Sequence, residues 1–195
     1  MLGACKMRML LEKRIRELQH LLDATLRECG DDIGRAADFI VDGYRHDRGV
    51  FIFGNGGSAA DAQHIVGELN GRYLKERKGL KAQSLVGDGA TMTCVSNDYG
   101  YEQIFARQLE ANAVEGDIAW GLSTSGNSSN VVNAFKCAKE AGIVTIALTG
   151  QGGGECADLA DVLIAIPSDF TPHVQEVGIL IYHCICERVE SELFG

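Results

Sequence analysis

The chain has 195 residues, 46% of them hydrophobic, and a formal net charge of −9 at pH 7, which suits a single domain over 1–195 with one good core. The negative charge, with no long basic face, excludes nucleic acid and anionic membranes as natural partners, so an anionic ligand must be held by local donors. Seven cysteines without a C-x-x-C pair, no secretory segment and no bilayer-length apolar run point to reduced thiols and a cytoplasmic location.

The helical region spans 1–47 and has a ragged start, with Met7 or Met9 a candidate initiator. Leu11, Ile15, Leu18, Leu22 and Leu26 then form the narrow apolar seam of an amphipathic helix. Such a seam suits docking on the domain's own sheet or packing between subunits, and both readings stand. Gly30-Asp31-Asp32 predicts a break, with a second helix over Ile33–Arg45.

The sheet-bearing core, 48–195, opens with Val50-Phe51-Ile52-Phe53, a strand buried on both faces. It runs into Gly54-Asn55-Gly56-Gly57-Ser58, whose glycines admit conformations and close approaches that a Cβ blocks. Ser58 is expected to cap the next helix, Ala59 to about Asn70, which carries His64 and Glu68 one turn apart on one face. An anion-binding loop thus lies about one helix away from a candidate metal or acid/base pair.

Tyr73–Gly79 is a charged connector, expected as a solvated turn, with a mobile flap as the second reading. Ala82–Val86 predicts strand two, followed by Gly87-Asp88-Gly89, a helical segment to Val95, the turn Ser96–Gly100 and a helix over 101–113. Strand three, Ile118–Leu122, delivers Ser123-Thr124-Ser125-Gly126-Asn127-Ser128 to a helix over 129–141. Four hydroxyls beside the orphan N–H groups of a helix start favour a phosphate, whereas a plain cap needs one hydroxyl. Strands over Ile143–Leu148 and Val162–Ile166 follow. A last helix, about His173 to Leu193, holds Gln175 and His183 on roughly one side, two turns apart.

This alternation predicts an α/β fold, a three-layer αβα sandwich on a five-stranded parallel sheet, with N-terminal helices added. In the flavodoxin-like order 2-1-3-4-5, strands one and three meet where the order reverses, and ligands bind beyond their carboxyl ends. Both anion-friendly loops fall at that crevice. The rival is a dinucleotide fold, since Gly54, Gly56 and Ala59 match G-x-G-x-x-A and Asp88 is its candidate acidic partner. Such a site has no need of the serine-rich loop, which favours a small phosphorylated substrate.

Strand-GNGGS-helix followed by strand-STSGNS-helix resembles the sugar isomerase (SIS) domain, which binds phosphosugars, and within it the phosphoheptose isomerases. The carrying motifs are Asn55–Ser58, Asp61-Ala62-Gln63-His64 through Glu68, Gly71-Arg72, Asn97-Asp98, Ser123–Ser128, and Gln175-Glu176 with His183. The resemblance implies an aldose–ketose isomerase acting between sedoheptulose 7-phosphate and D-glycero-D-manno-heptose 7-phosphate, in heptose supply for bacterial envelope lipopolysaccharide. It implies one zinc ion per subunit among His64, Glu68, Gln175 and His183, with Glu68 and His183 as acid/base groups. Substrate contacts are implied for Asn55, Gly56, Gly57, Ser58, Glu68, Arg72, Asn97, Asp98, Ser123, Thr124, Ser125, Ser128 and Gln175. A homotetramer with sites completed by neighbouring subunits is implied as well. The segment Asp169–His173 and Gly67 depart from the family pattern. Two non-catalytic alternatives share the fold: a phosphosugar-sensing module, and an adaptor binding the replication initiator DnaA, whose group lacks the His and Glu pairing present here.

Overall fold

Continuous apolar runs can be buried as strands only if protein covers both faces of the sheet, and helices supply that cover here. The structure, a computed structural model, describes residues 2–195, with side chains described from Cys5 onward. Its strands are β1 (Val50–Gly54), β2 (Ala82–Ser84), β3 (Ile118–Ser123), β4 (Val144–Thr149) and β5 (Val162–Ala165). They form one parallel sheet in the order β2-β1-β3-β4-β5. Every residue of β1 and β3 is buried. The register pairs Gly54 with Leu122, so the carboxyl ends of β1 and β3 finish level.

The two faces separate by the period-2 alternation of strands. Val50 and Ile52, with Ile118 and Trp120, pack under α1 (Leu2–Arg45), α2 (Gly57–Asn70) and α6 (Thr171–Phe194). Phe51 and Phe53 turn to the opposite face, where α3 (Gly89–Tyr99), α4 (Ala106–Asn112) and α5 (Ser129–Glu140) bring Val95, Leu109 and Phe135. The result is the expected αβα sandwich. Among the described residues no helix is long and apolar enough to cross a membrane.

Several local expectations differ from the structure. The N-terminal region is one helix, α1, and not two, because Gly30-Asp31-Asp32 continues it without a break. An interior glycine costs a helix about 1 kcal/mol, and burial on both sides of it outweighs that cost. Leu21 and Cys29 on one side, and Ala36, Ala37, Ile40 and Val41 on the other, belong to the same core as α6. Asp32 also pairs with Arg35 at 2.9 Å along the helix. The expected seam is only partly used: Leu18 and Leu22 pack on the core, while Leu11, Ile15 and Leu26 stay exposed.

The connector Tyr73–Gly79 is largely exposed, as a solvated turn should be, but it is also anchored. Arg77 Nε lies 3.0 Å from Glu190 Oε1, and both side chains are 2% exposed. Glu190 also accepts the backbone N–H groups of Tyr73, Leu74 and Lys75. Arg77 donates to the carbonyls of Glu68, Leu69 and Gly71, the acceptors that the end of α2 leaves without helical partners.

Finally, the turn expected at Ser96–Gly100 is helical as far as Tyr99, and the helix over 101–113 divides into a 3₁₀ turn at Tyr101–Gln103 and α4. Asp88 caps α3 through the N–H groups of Ala90 and Thr91. Its side chain is therefore committed to the helix and not presented as a ribose acceptor.

Candidate active site

At the point where the strand order reverses, β1 and β3 each open into a loop and a helix. Gly56, at φ 58°, turns the first loop into α2, which begins at Gly57. Ser58 is thus inside the helix and makes no cap bond. That corrects its expected role: a glycine at the first helical position lets α2 start before the serine, whose side chain is buried.

The second loop is closed by its own hydroxyls. Ser123 Oγ donates to Ser128 Oγ at 3.1 Å, and Ser125 Oγ accepts from Asn127 N–H at 3.2 Å. Gly126 has φ 67°, and a Cβ there would fall 1.9 Å from the Gly153 carbonyl, so only glycine fits. Ser128 is the N-cap of α5 by position yet makes no side-chain cap bond. The first turn of α5 therefore keeps N–H groups for an incoming anion.

A reciprocal amide pair ties the two loops together. Asn55 Nδ2 donates to Asn130 Oδ1, and Asn130 Nδ2 donates to Asn55 Oδ1, each at 2.9 Å. Tyr101 Oη also donates to Asn55 Oδ1 at 2.9 Å. The Asn55 side-chain oxygen is thereby filled, and one amide hydrogen of Asn55 has no partner among the described residues.

Farther along α2, His64 and Glu68 meet His183 of α6. His64 Nε2 lies 3.2 Å from Glu68 Oε1 and 3.4 Å from His183 Nε2. The three ligating atoms lie within 4.8 Å of one another. Two imidazole nitrogens and a carboxylate oxygen are the donor types that zinc accepts, so the residues fit such an ion.

Behind His64, the buried Tyr182 places Oη 2.9 Å from His64 Nδ1 and 3.4 Å from Asp61 Oδ1. Burial, reinforced by the Asp61 charge, pushes the phenol far above its ordinary range and keeps it protonated. Burial likewise raises the Asp61 carboxyl, against the opposing effects of the Tyr182 hydrogen bond and His64. The Tyr73 ring, delivered by the anchored connector, stands 5.6 Å from His183.

The SIS domain family profile matches residues 15–150. The phosphoheptose isomerase of Sulfurimonas denitrificans is 53% identical over 152 residues, 78% of each chain. That of Helicobacter pylori is 42% identical over 181 residues, 93% of this chain and 94% of its own. The structure of phosphoheptose isomerase GmhA from Neisseria gonorrhoeae superposes with a TM-score of 0.90 at 34% identity, over 95% of this chain and 99% of that one. The chain belongs to the SIS-domain family of phosphoheptose isomerases.

Against the contacts implied for an isomerase of this family, the residues fall into two groups. Asn55, Gly56, Gly57, Ser123, Thr124, Ser125 and Ser128 are gathered at the two loops after β1 and β3. Gln175 joins them, its amide lying against Gly57, where a Cβ would come within 2.4 Å of Nε2. A small cavity lined by Ser58, Asp61, Thr124, Gln175 and Tyr182 lies beside this group. The remaining contacts, Arg72, Asn97 and Asp98, make no hydrogen bond to the two loops or to the His/Glu/His cluster among the described residues. Arg72 is exposed and reaches Glu76 at 3.7 Å. Asn97 and Asp98 are exposed at the end of α3 and bonded to each other at 2.7 Å.

Larger open grooves exist, such as one lined by Asp47, Lys81, Gln83 and Asn112 at the amino ends of β1 and β2, but none of the implied site residues lines it. Sequence reasoning missed Asn130, Tyr101, Tyr182 and Arg77, and left Asp61 without a role. Asn130 and Asp61 had a local trace, two residues past the serine loop and one turn before His64. Tyr182 and Arg77 had none, since their partners Asp61 and Glu190 lie more than a hundred residues away.

Proposed function

We propose that this isomerase interconverts sedoheptulose 7-phosphate and D-glycero-D-manno-heptose 7-phosphate, with the phosphate at the β1 and β3 loops. The observation that carries this reading is the convergence of His64, Glu68 and His183 within 4.8 Å, on helices flanking the loops that Asn55 and Asn130 hold together. The relatives from Sulfurimonas denitrificans and Helicobacter pylori, both named phosphoheptose isomerase, support the same substrate.

Aldose–ketose isomerisation moves a proton between C1 and C2 through an enediol. It requires a base at the carbon acid, a proton donor for the oxygen and stabilisation of the developing charge. In this reading Glu68 and His183 share those proton transfers, with carboxylate and imidazole on opposite helices of one cluster. The hydroxyls of Ser123, Thr124, Ser125 and Ser128, with backbone N–H groups of both loops, hold the phosphate ester. Asn55, Asn97, Asp98, Arg72 and Gln175 orient the sugar. Tyr73 and Tyr182 pack their rings against His183 at the edge of the cluster.

His64, Glu68, Gln175 and His183 would hold one zinc ion per subunit. Bound there, zinc supplies Lewis-acid polarisation of the substrate's oxygens. A group engaged by the ion is a poorer base, so Glu68 and His183 divide their time between ligation and proton transfer. The active form in this reading is a cytoplasmic homotetramer, in which Arg72, Asn97 and Asp98 complete sites with a neighbouring subunit. Its product feeds heptose synthesis for the bacterial envelope.

Incubation with sedoheptulose 7-phosphate decides the matter: appearance of the aldose phosphate supports the enzyme. Binding without turnover would leave a phosphosugar-sensing module, and neither would open the adaptor reading to a pull-down with DnaA.

A further inference from the structure

His64 is the one member of the His/Glu/His cluster whose second ring nitrogen is gripped from behind. Its Nδ1 faces Tyr182 Oη at 2.9 Å, and the same Oη stands 3.4 Å from Asp61 Oδ1. A phenol has one hydrogen to give, so two arrangements are open. If Oη–H points at Nδ1, Asp61 faces the phenol oxygen with no hydrogen between them, and its carboxylate has no other side-chain or backbone donor among the described residues. If Oη–H points at Asp61, the phenol oxygen is free to accept from His64 Nδ1–H, and all three groups are satisfied at once. Tyr182 is fully buried and Asp61 is half-buried, so leaving the hydrogen bond between them unmade is costly. The second arrangement therefore prevails.

We propose that Tyr182 is a positioning residue, which with Asp61 behind it holds His64 as the Nδ1–H tautomer and aims the bare Nε2 at Glu68 Oε1 and His183 Nε2. His64 Nε2 and Glu68 Oε1, 3.2 Å apart, are then both acceptors with no hydrogen between them, an arrangement that a cation satisfies. Outer hydrogen bonds of this kind are worth about 10–100-fold in metal affinity. The inference rests on the zinc reading above and deepens it. It assigns the orientation of one ligand to a buried tyrosine that touches neither ion nor sugar.

The test is zinc affinity measured by competition with a chromophoric chelator, together with the melting temperature of the metal-free protein. Tyr182→Phe keeps the ring and removes only the hydroxyl, and is expected to weaken zinc binding about 10–100-fold with little change in melting. Asp61→Asn, which leaves Tyr182 a weaker acceptor, is expected to weaken it by a smaller factor. Zinc binding by both variants at wild-type strength overturns the proposal while the zinc site itself survives. No saturable binding by the wild type overturns the zinc reading, and the proposal with it. Should Tyr182→Phe fail to fold, Asp61→Asn decides alone, unchanged affinity again being the refuting result.

Discussion

Glu68 is partly buried, with Oε1 3.2 Å from His64 Nε2, and contributes no packing that the fold depends on. Glu68→Gln keeps the shape and removes the base, so kcat is expected to fall about 10²–10⁴-fold, the usual share of general acid–base catalysis, with melting unchanged. Steady-state kinetics and thermal unfolding of the variant check this, and near-normal turnover would remove Glu68 from the mechanism. Gly126 tests the other half of the site. At φ 67°, with the Gly153 carbonyl where a Cβ would go, Gly126→Ala must shift the serine loop. Stability is expected to drop by more than about 1 kcal/mol and KM for the sugar phosphate to rise, since the loop's hydroxyls would no longer converge. At this scale the sequence disclosed residues related by local spacing. His64 and Glu68 are separated by four residues, and the serines follow one another. Tyr182 and Asp61 were opaque because a contact across 121 residues leaves no periodic trace.

Among the elements, α2 and α6 must keep their relative height for the cluster to form, and the connector between α2 and β2 fixes it. Arg77 satisfies the carbonyls at the end of α2 and pairs with Glu190 of α6, whose carboxylate also gathers three N–H groups of the connector. Arg77→Met leaves a buried carboxylate without its partner, a change that typically costs about 3–5 kcal/mol. Burial tends to raise the Glu190 carboxyl, but the three N–H groups and Arg77 outweigh it and hold the carboxyl below its ordinary value of 4.5. A depressed folded-state pKa stabilises the protein fully above that ordinary value and progressively less as pH falls through the folded one. The melting-temperature gap between wild type and Glu190→Gln is therefore expected to be constant at neutral pH and to narrow below about pH 4.5. A gap that widened on acidification would contradict the pairing. Four charges among seven connector residues read as a solvated turn, and the anchoring is invisible in isolation because only the fold brings Glu190 to them. The unbroken α1 is the same lesson: Gly30 looks like a stop until the core flanking it is seen.

For the whole molecule, the strand order and the placement of both anion loops were readable from alternating apolar runs and the rule that ligands sit at the switch point. What those runs could not convey is where the chain stops and its neighbours begin. The first half of α1 carries Leu11 and Ile15 at 57% and 47% exposure, with Met7, Met9 and Leu10 beside them, and Leu26 is exposed to 75%. A cluster of that kind on an ordered helix marks an interaction surface. Burying a leucine or isoleucine is worth about 1.5–3 kcal/mol each, so a helix-to-helix contact here would be strong. In the proposed homotetramer the exposed part of this seam would be the subunit contact, while Leu18 and Leu22 already pack on the chain's own core. Leu11→Lys with Ile15→Lys is expected to convert the assembly to smaller species on size-exclusion chromatography with light scattering. Each subunit's fold should survive, because neither side chain enters the core. Activity should fall with the loss of assembly, since exposed Arg72, Asn97 and Asp98 would no longer meet the clusters of their neighbours. A wild type that is monomeric at assay concentrations and fully active would refute the assembly, and would require those three residues to reach the substrate from within one chain.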